Sequence, residues 1–152
     1  MAQLMLALGI GFLTGTMMTV QGIINTLLAE RVGTYGSIFV LTIVNLLLVG
    51  LVVLFFPGTL SYQNLPSWNR WYLYLGGVLG VFILAAIIVL LPRSGASLGF
   101  LYIIMGQMIS GVIIEHFGLL GMAKAPFSGT KFWGVVLFVA GAYLVSLSKL
   151  KT

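Results

Sequence analysis

The sequence predicts an all-α integral membrane protein with five transmembrane helices, on three observations. Of its 152 residues, 61% are apolar and only 6% charged, whereas a soluble domain carries about 25% charged residues. The mean hydropathy is +1.19, so lipid is the solvent for most of the chain. The apolar residues also gather into five runs, each long enough, at about 1.5 Å of rise per residue, to cross a hydrocarbon layer of about 30 Å.

The first run covers 3–28 and closes at Arg31-Val32-Gly33. Met1-Ala2-Gln3 lacks the basic start of a secretion signal and the run exceeds a signal's apolar stretch, so this helix is expected to stay in the mature protein. The second run, 35–56, stops at Pro57-Gly58; the third, 71–91, stops at Pro92-Arg93-Ser94-Gly95. The fourth is 97–115, and the fifth and shortest, 132–148, follows Pro126 and Ser128-Gly129. Pro and Gly punctuate every boundary, as helix ends require. Tyr35, Trp68, Trp71, Tyr72, Trp133 and Tyr143 fall near span ends, where the two membrane–water interfaces favour amphipathic rings. Segment 116–131 is too apolar for an aqueous loop and too short to span, so it is expected to lie along the interface. No interval is long enough for a soluble domain, and 1–152 reads as a single transmembrane domain.

An odd number of spans puts the termini on opposite sides. One side then receives Arg31, Arg93, Lys149 and Lys151, the other Arg70, Lys124 and Lys131. Orientation follows the Lys/Arg asymmetry, and four against three leaves insertion in either direction, or both, open. The net charge of +5 comes from basic residues scattered singly between apolar runs, which fits membrane-edge anchors and not a nucleic-acid surface.

Several chemistries are excluded by what the chain lacks. There is no Cys and no Asp, so thiolate sites, paired aspartates and a Ser-His-Asp triad are ruled out. One His and two Glu are too few for a zinc site. No phosphate or dinucleotide fingerprint is present. The chain is expected to be neither an enzyme nor a holder of a metal or cofactor. Glu115 and His116, adjacent at the end of the fourth span, point about 100° apart on a helix. Glu115 reads as a hydrated interfacial charge, with proton coupling as the alternative.

What remains is polar and neutral. On the first helix Thr14, Met18, Gln21 and Asn25 fall within about 60° of one another, bordered by Gly11, Gly15 and Gly22, where a backbone or a ligand can come close. The amides either contact a solute or hydrogen-bond to a neighbouring helix. In both readings they must face the bundle or a wet cavity, because an unpartnered amide in hydrocarbon costs several kcal/mol. Asn45 in the second helix and Gln107 in the fourth lie near midspan, the usual depth of a solute site; Asn45 has the alternative of a local contact with Thr42. On the fifth helix Gly134, Gly141 and Ser148 recur every seven residues within about 40°, a small-residue seam suited to helix association, within one chain or between two.

These residues carry a resemblance. Gln21-Gly-Ile-Ile-Asn25 followed by Leu-Leu-Ala-Glu-Arg-Val-Gly33, then Leu91-Pro-Arg-Ser-Gly95, Gly106-Gln-Met and Ile114-Glu-His-Phe-Gly-Leu-Leu-Gly121 resemble the short five-helix bacterial membrane proteins of the drug/metabolite transporter superfamily. The seam of the last helix is similar to the dimer-forming helix of the small multidrug resistance branch. The resemblance implies half of a ten-helix, inverted-repeat transporter in the bacterial cytoplasmic (inner) membrane, completed by an antiparallel, dual-topology homodimer. Taken with the polar groups read above, the expectation is alternating access to a small organic solute at Gln21, Asn25, Asn45 and Gln107, with Thr14 on the same stripe. Small multidrug pumps carry a carboxylate inside the first helix, where this chain has Gln21 and Asn25. The alternative from another class is a membrane scaffold or accessory subunit whose amides serve packing alone.

Overall fold

The structure, a computed structural model, describes residues 1–56, 58, 60–61 and 65–149, without the side chains of Ala2, Trp68, Ser148 and Lys149. Pro57, Lys151 and the side chains of Trp68 and Ser148 therefore lie outside the described residues. Five α-helices follow one another: α1 (Ala2–Val32), α2 (Thr34–Phe55), α3 (Leu75–Ser94), α4 (Ala96–Phe117) and α5 (Gly129–Lys149). No strand occurs among the described residues. All five helices are long and apolar enough to cross a membrane, the third together with a 3-10 approach from Asn69. The protein is a five-span, all-α membrane protein.

Two of the breaks are much shorter than a loop. Gly33 alone separates α1 from α2, and Gly95 alone separates α3 from α4. Gly33 stands at φ 78°, ψ 162° and Gly95 at φ 76°, ψ 159°, a region that residues with a Cβ avoid. At Gly33 both backbone groups are used. The Gly33 N–H donates to the Ala29 carbonyl at 2.8 Å, and the Gly33 carbonyl accepts from the Ser37 N–H at 2.9 Å. One residue thus ends one helix and starts the next, which suits a medium that offers no replacement hydrogen bonds. Both glycines follow an Arg two positions earlier, Arg31 and Arg93, which places each turn beside a charge that seeks the interface.

The chain divides into two compact units, Met1–Arg93 and Ser94–Thr152. In the first, α1 folds back on α2 at Gly33. Gly36 lets the first turn of α2 close on Val32, since a Cβ at Gly36 would stand 3.2 Å from the Val32 Cβ. Near this turn Gly22, Asn25, Ser37 and Ile38 are buried, while Phe12, Leu46 and Phe55, farther along, are exposed. The approach to α3 is a 3-10 segment, Trp68–Tyr74, kinked at Arg70 and tied down by the Tyr74 hydroxyl, which donates to the Pro66 carbonyl at 2.8 Å.

In the second unit α4 packs on α5. Gly118, in the left-handed region, caps α4, its N–H turned back to the carbonyls of Glu115 and Ile114, the usual glycine solution at a helix end. A short 3-10 segment, Leu119–Gly121, follows. Ser128 then caps α5, its Oγ accepting from the Lys131 N–H at 3.3 Å, which fills one of the unpaired donors at a helix start.

Candidate functional site

A cleft of about 380 Å³ opens between α1 and α2, lined by Thr16, Met17, Val20, Gln21, Ile24 and Asn25 of α1 and Leu41 of α2. Its position follows from the turn. Gly33 holds the two helices together at one end, where the small Gly22 and Ser37 are buried, and the larger side chains toward midspan hold them apart.

Asn25 is the buried polar residue of this site, 3% exposed, beside Ser37 at 0%. The Ser37 hydroxyl donates to the Asn25 main-chain carbonyl at 2.9 Å, and so fixes α2 against α1 at the level of the amide. The side-chain nitrogen of Asn25, Nδ2, has no hydrogen-bond partner among the described residues. A buried donor left unmade costs about 1–3 kcal/mol. Such an atom marks a place that a partner from outside the chain would satisfy.

The neighbouring hydroxyls are already used. Thr14, Thr16, Thr19, Thr26 and Thr42 each donate to the carbonyl four residues earlier, at 2.8–3.0 Å. In hydrocarbon this back-bonding is the cheapest way to satisfy an isolated hydroxyl. The cleft therefore offers two amides, Gln21 and Asn25, on an otherwise aliphatic wall that contains no charged residue.

Of the residues expected from sequence, Gln21 and Asn25 come together in the cleft, while Thr14 and Asn45 are exposed outside its lining. Gln107 is exposed on α4, in the second unit. Thr16, Met17, Val20, Ile24 and Leu41 complete the wall. The polar stripe through Thr14, Met18, Gln21 and Asn25 and the cleft-lining face of α1 differ by about 80° around the helix, and the two amides lie where they overlap. A wheel marks where polar atoms lie, whereas the cleft follows where α2 packs. Ser37 had no helical-face signal, because its partner is a main-chain carbonyl on another helix. A Cβ at Gly11 or Gly15 would meet nothing within 4 Å, so among the described residues of the first unit no close approach is made beside the stripe at these two glycines.

The second unit holds an ion pair. Lys131 Nζ lies 2.7 Å from Glu115 Oε2, both partly exposed. The Glu115 carbonyl accepts from the Ala125 N–H at 2.9 Å, and His116 Nδ1 accepts from the Phe127 N–H at 3.1 Å. These bonds tie the 118–128 connection to the end of α4. Among the described residues no group of three His, Cys, Asp or Glu could hold a metal ion.

On α5 the covered side runs through Lys131, Val135, Phe138, Ala142 and Ser146. Gly134 and Gly141 are exposed, and a Cβ at either would meet nothing within 4 Å. Their line lies about 100° around the helix from the covered side.

The family model described as "Putative inner membrane exporter, YdcZ" matches residues 6–144, from the start of α1 into α5. The chain is similar to the inner membrane protein YdcZ of Escherichia coli (strain K12), with 29% identity over 127 residues, which is 80% of this chain and 84% of that protein. No solved structure matches the chain. The match agrees with five apolar spans and a location in the bacterial cytoplasmic membrane, crossed several times, and it supports a membrane transport role. The chain belongs to the YdcZ family of five-helix bacterial inner membrane proteins, of the drug/metabolite transporter type.

Proposed function

We propose that the chain is a secondary transporter of a small organic solute, that its five spans act as one transmembrane domain, and that the cleft holding Gln21 and Asn25 is part of the solute path. The observation that carries this reading is Asn25 Nδ2, buried in an open cleft and without a partner among the described residues. Two copies inserted oppositely form the working unit, an antiparallel homodimer in which Thr14, Asn45 and Gln107, exposed on the single chain, complete the polar lining. The near-even basic count allows both orientations, and the uncovered line of Gly134 and Gly141, continued by Ser148, supplies a contact for the second copy. Transport then proceeds by alternating access, the helices rocking about the solute held by the amides.

A thermal-shift screen of purified protein against a panel of small metabolites tests the site, because a ligand that binds only the folded state raises the melting temperature. A solute that stabilises the wild type and fails to stabilise Asn25→Leu or Gln21→Leu supports the reading. If both variants lose dimer and respond to solute as the wild type does, the amides are packing contacts and the scaffold reading stands in its place.

A further inference from the structure

We infer that the cleft selects a neutral, amphipathic solute that presents a hydrogen-bond acceptor, such as a carbonyl oxygen, to Asn25 Nδ2. The inference rests on the cleft being a solute site and adds the chemical class of its occupant. Three features of the wall set that class. Asn25 Nδ2, the buried side-chain atom without a partner among the described residues, is a donor, so a solute that satisfies it must bring an acceptor. Met17, Val20, Ile24 and Leu41 line the same cleft, so the rest of the solute must be apolar to gain from burial. No charged side chain lines the cleft, so an ion would lose its hydration with no counter-charge to replace it. Thr16 does not alter this balance, because its hydroxyl already donates to the Phe12 carbonyl at 3.0 Å. Gln21, one helical turn before Asn25, can meet a second polar atom on the same edge of the solute.

Four probes of ten carbons each separate the classes: benzylacetone (neutral, with an acceptor), butylbenzene (no acceptor), phenylbutyrate (an anion) and benzyltrimethylammonium (a cation). The full-length protein, labelled with nitrogen-15 in asparagine and held in detergent micelles, is titrated with each, and the side-chain amide of Asn25 is identified as the signal absent from Asn25→Ala. Apparent affinities are compared between wild type and Asn25→Leu, which cancels partitioning into detergent.

The expected result is a saturable shift of the Asn25 amide protons by benzylacetone. Its affinity should fall roughly three- to tenfold in Asn25→Leu, the worth of one hydrogen bond, while that of butylbenzene stays the same and neither ion displaces benzylacetone. If an ion displaces it, or if butylbenzene binds equally well with the Asn25 signal unmoved, the class is overturned but the cleft remains a solute site. If no probe moves the Asn25 signal the inference fails, and if Asn25→Leu and Asn25→Ala also lower the dimer fraction, the solute-site reading fails with it.

Discussion

The hydroxyl of Ser37 donates to the main-chain carbonyl of Asn25 at 2.9 Å, so a buried serine on α2 is used to hold the helix backbone that carries the free amide and not the amide itself. On the proposed reading, packing and binding are divided between neighbouring atoms. The carbonyl takes the structural bond, and Nδ2 has no partner among the described residues.

That division predicts opposite signs for two substitutions. Ser37→Ala removes a made hydrogen bond and should destabilise by about 1 kcal/mol. Asn25→Leu removes a buried donor that has no partner and should leave the melting temperature of ligand-free protein unchanged or higher. Thermal unfolding of the two purified variants in one detergent checks this, and a large loss with Asn25→Leu would show that the amide is partnered in the assembled protein.

Gly33→Ala should destabilise by about 1–3 kcal/mol, because a Cβ at φ 78°, ψ 162° strains the backbone. A Cβ there would meet nothing within 4 Å, so the loss isolates conformation from clash. Gly11→Ala, also with open space around it but inside a helix, should be neutral or slightly stabilising. Denaturant titration of both variants distinguishes the cases.

Glu115 ends α4 and Lys131 begins α5, so each charge sits at the helix end whose dipole repels it, and their 2.7 Å pair offsets both. Glu115→Gln and Lys131→Gln should each destabilise modestly, and the double variant should be no worse than either. A double-mutant cycle should give a coupling of about 0.2–1 kcal/mol for this partly exposed pair. Glu115→Gln should also keep substantial transport with similar pH dependence, and abolished coupling in a folded variant would place Glu115 on the transport path.

Gly134 and Gly141 are exposed about 100° around α5 from its covered side, so a large side chain there should separate two copies and leave the single chain intact. Gly141→Leu should lower dimer recovery more than Leu144→Ala while secondary structure is kept. A C-terminal reporter should appear on both sides of the membrane, and two added Lys on one set of loops should bias it. Dimer unchanged after Gly134→Leu plus Gly141→Leu would remove the seam from the interface.

The five spans were legible because hydropathy over some twenty residues is a strong signal in lipid. The ends were less so. Segments 29–34 and 92–96 read as turns, yet the helices run on to Val32 and Ser94, because a single glycine with positive φ is enough to end one helix and start the next. At the cleft, Gln21 and Asn25 were visible as amides in an apolar run, a placement that is costly without a partner. Ser37 and Leu41 were not: they share one face of α2 with Thr34 and Ile38, but the helix is apolar nearly all round, so hydropathy does not single out the face that meets α1. The Glu115–Lys131 pair joins residues sixteen apart across a connection whose path depends on Gly118 and the left-handed Leu120.

Flux through vesicles containing only this protein tests the central claim most directly. Wild-type and Asn25→Leu protein are reconstituted at equal density, loaded with a bacterial metabolite extract, and the solutes released are identified by mass spectrometry. The account predicts that wild-type vesicles release one or a few small organic solutes that Asn25→Leu vesicles retain, although both proteins are folded and dimeric. Folded wild-type dimer that releases nothing beyond empty vesicles would contradict it.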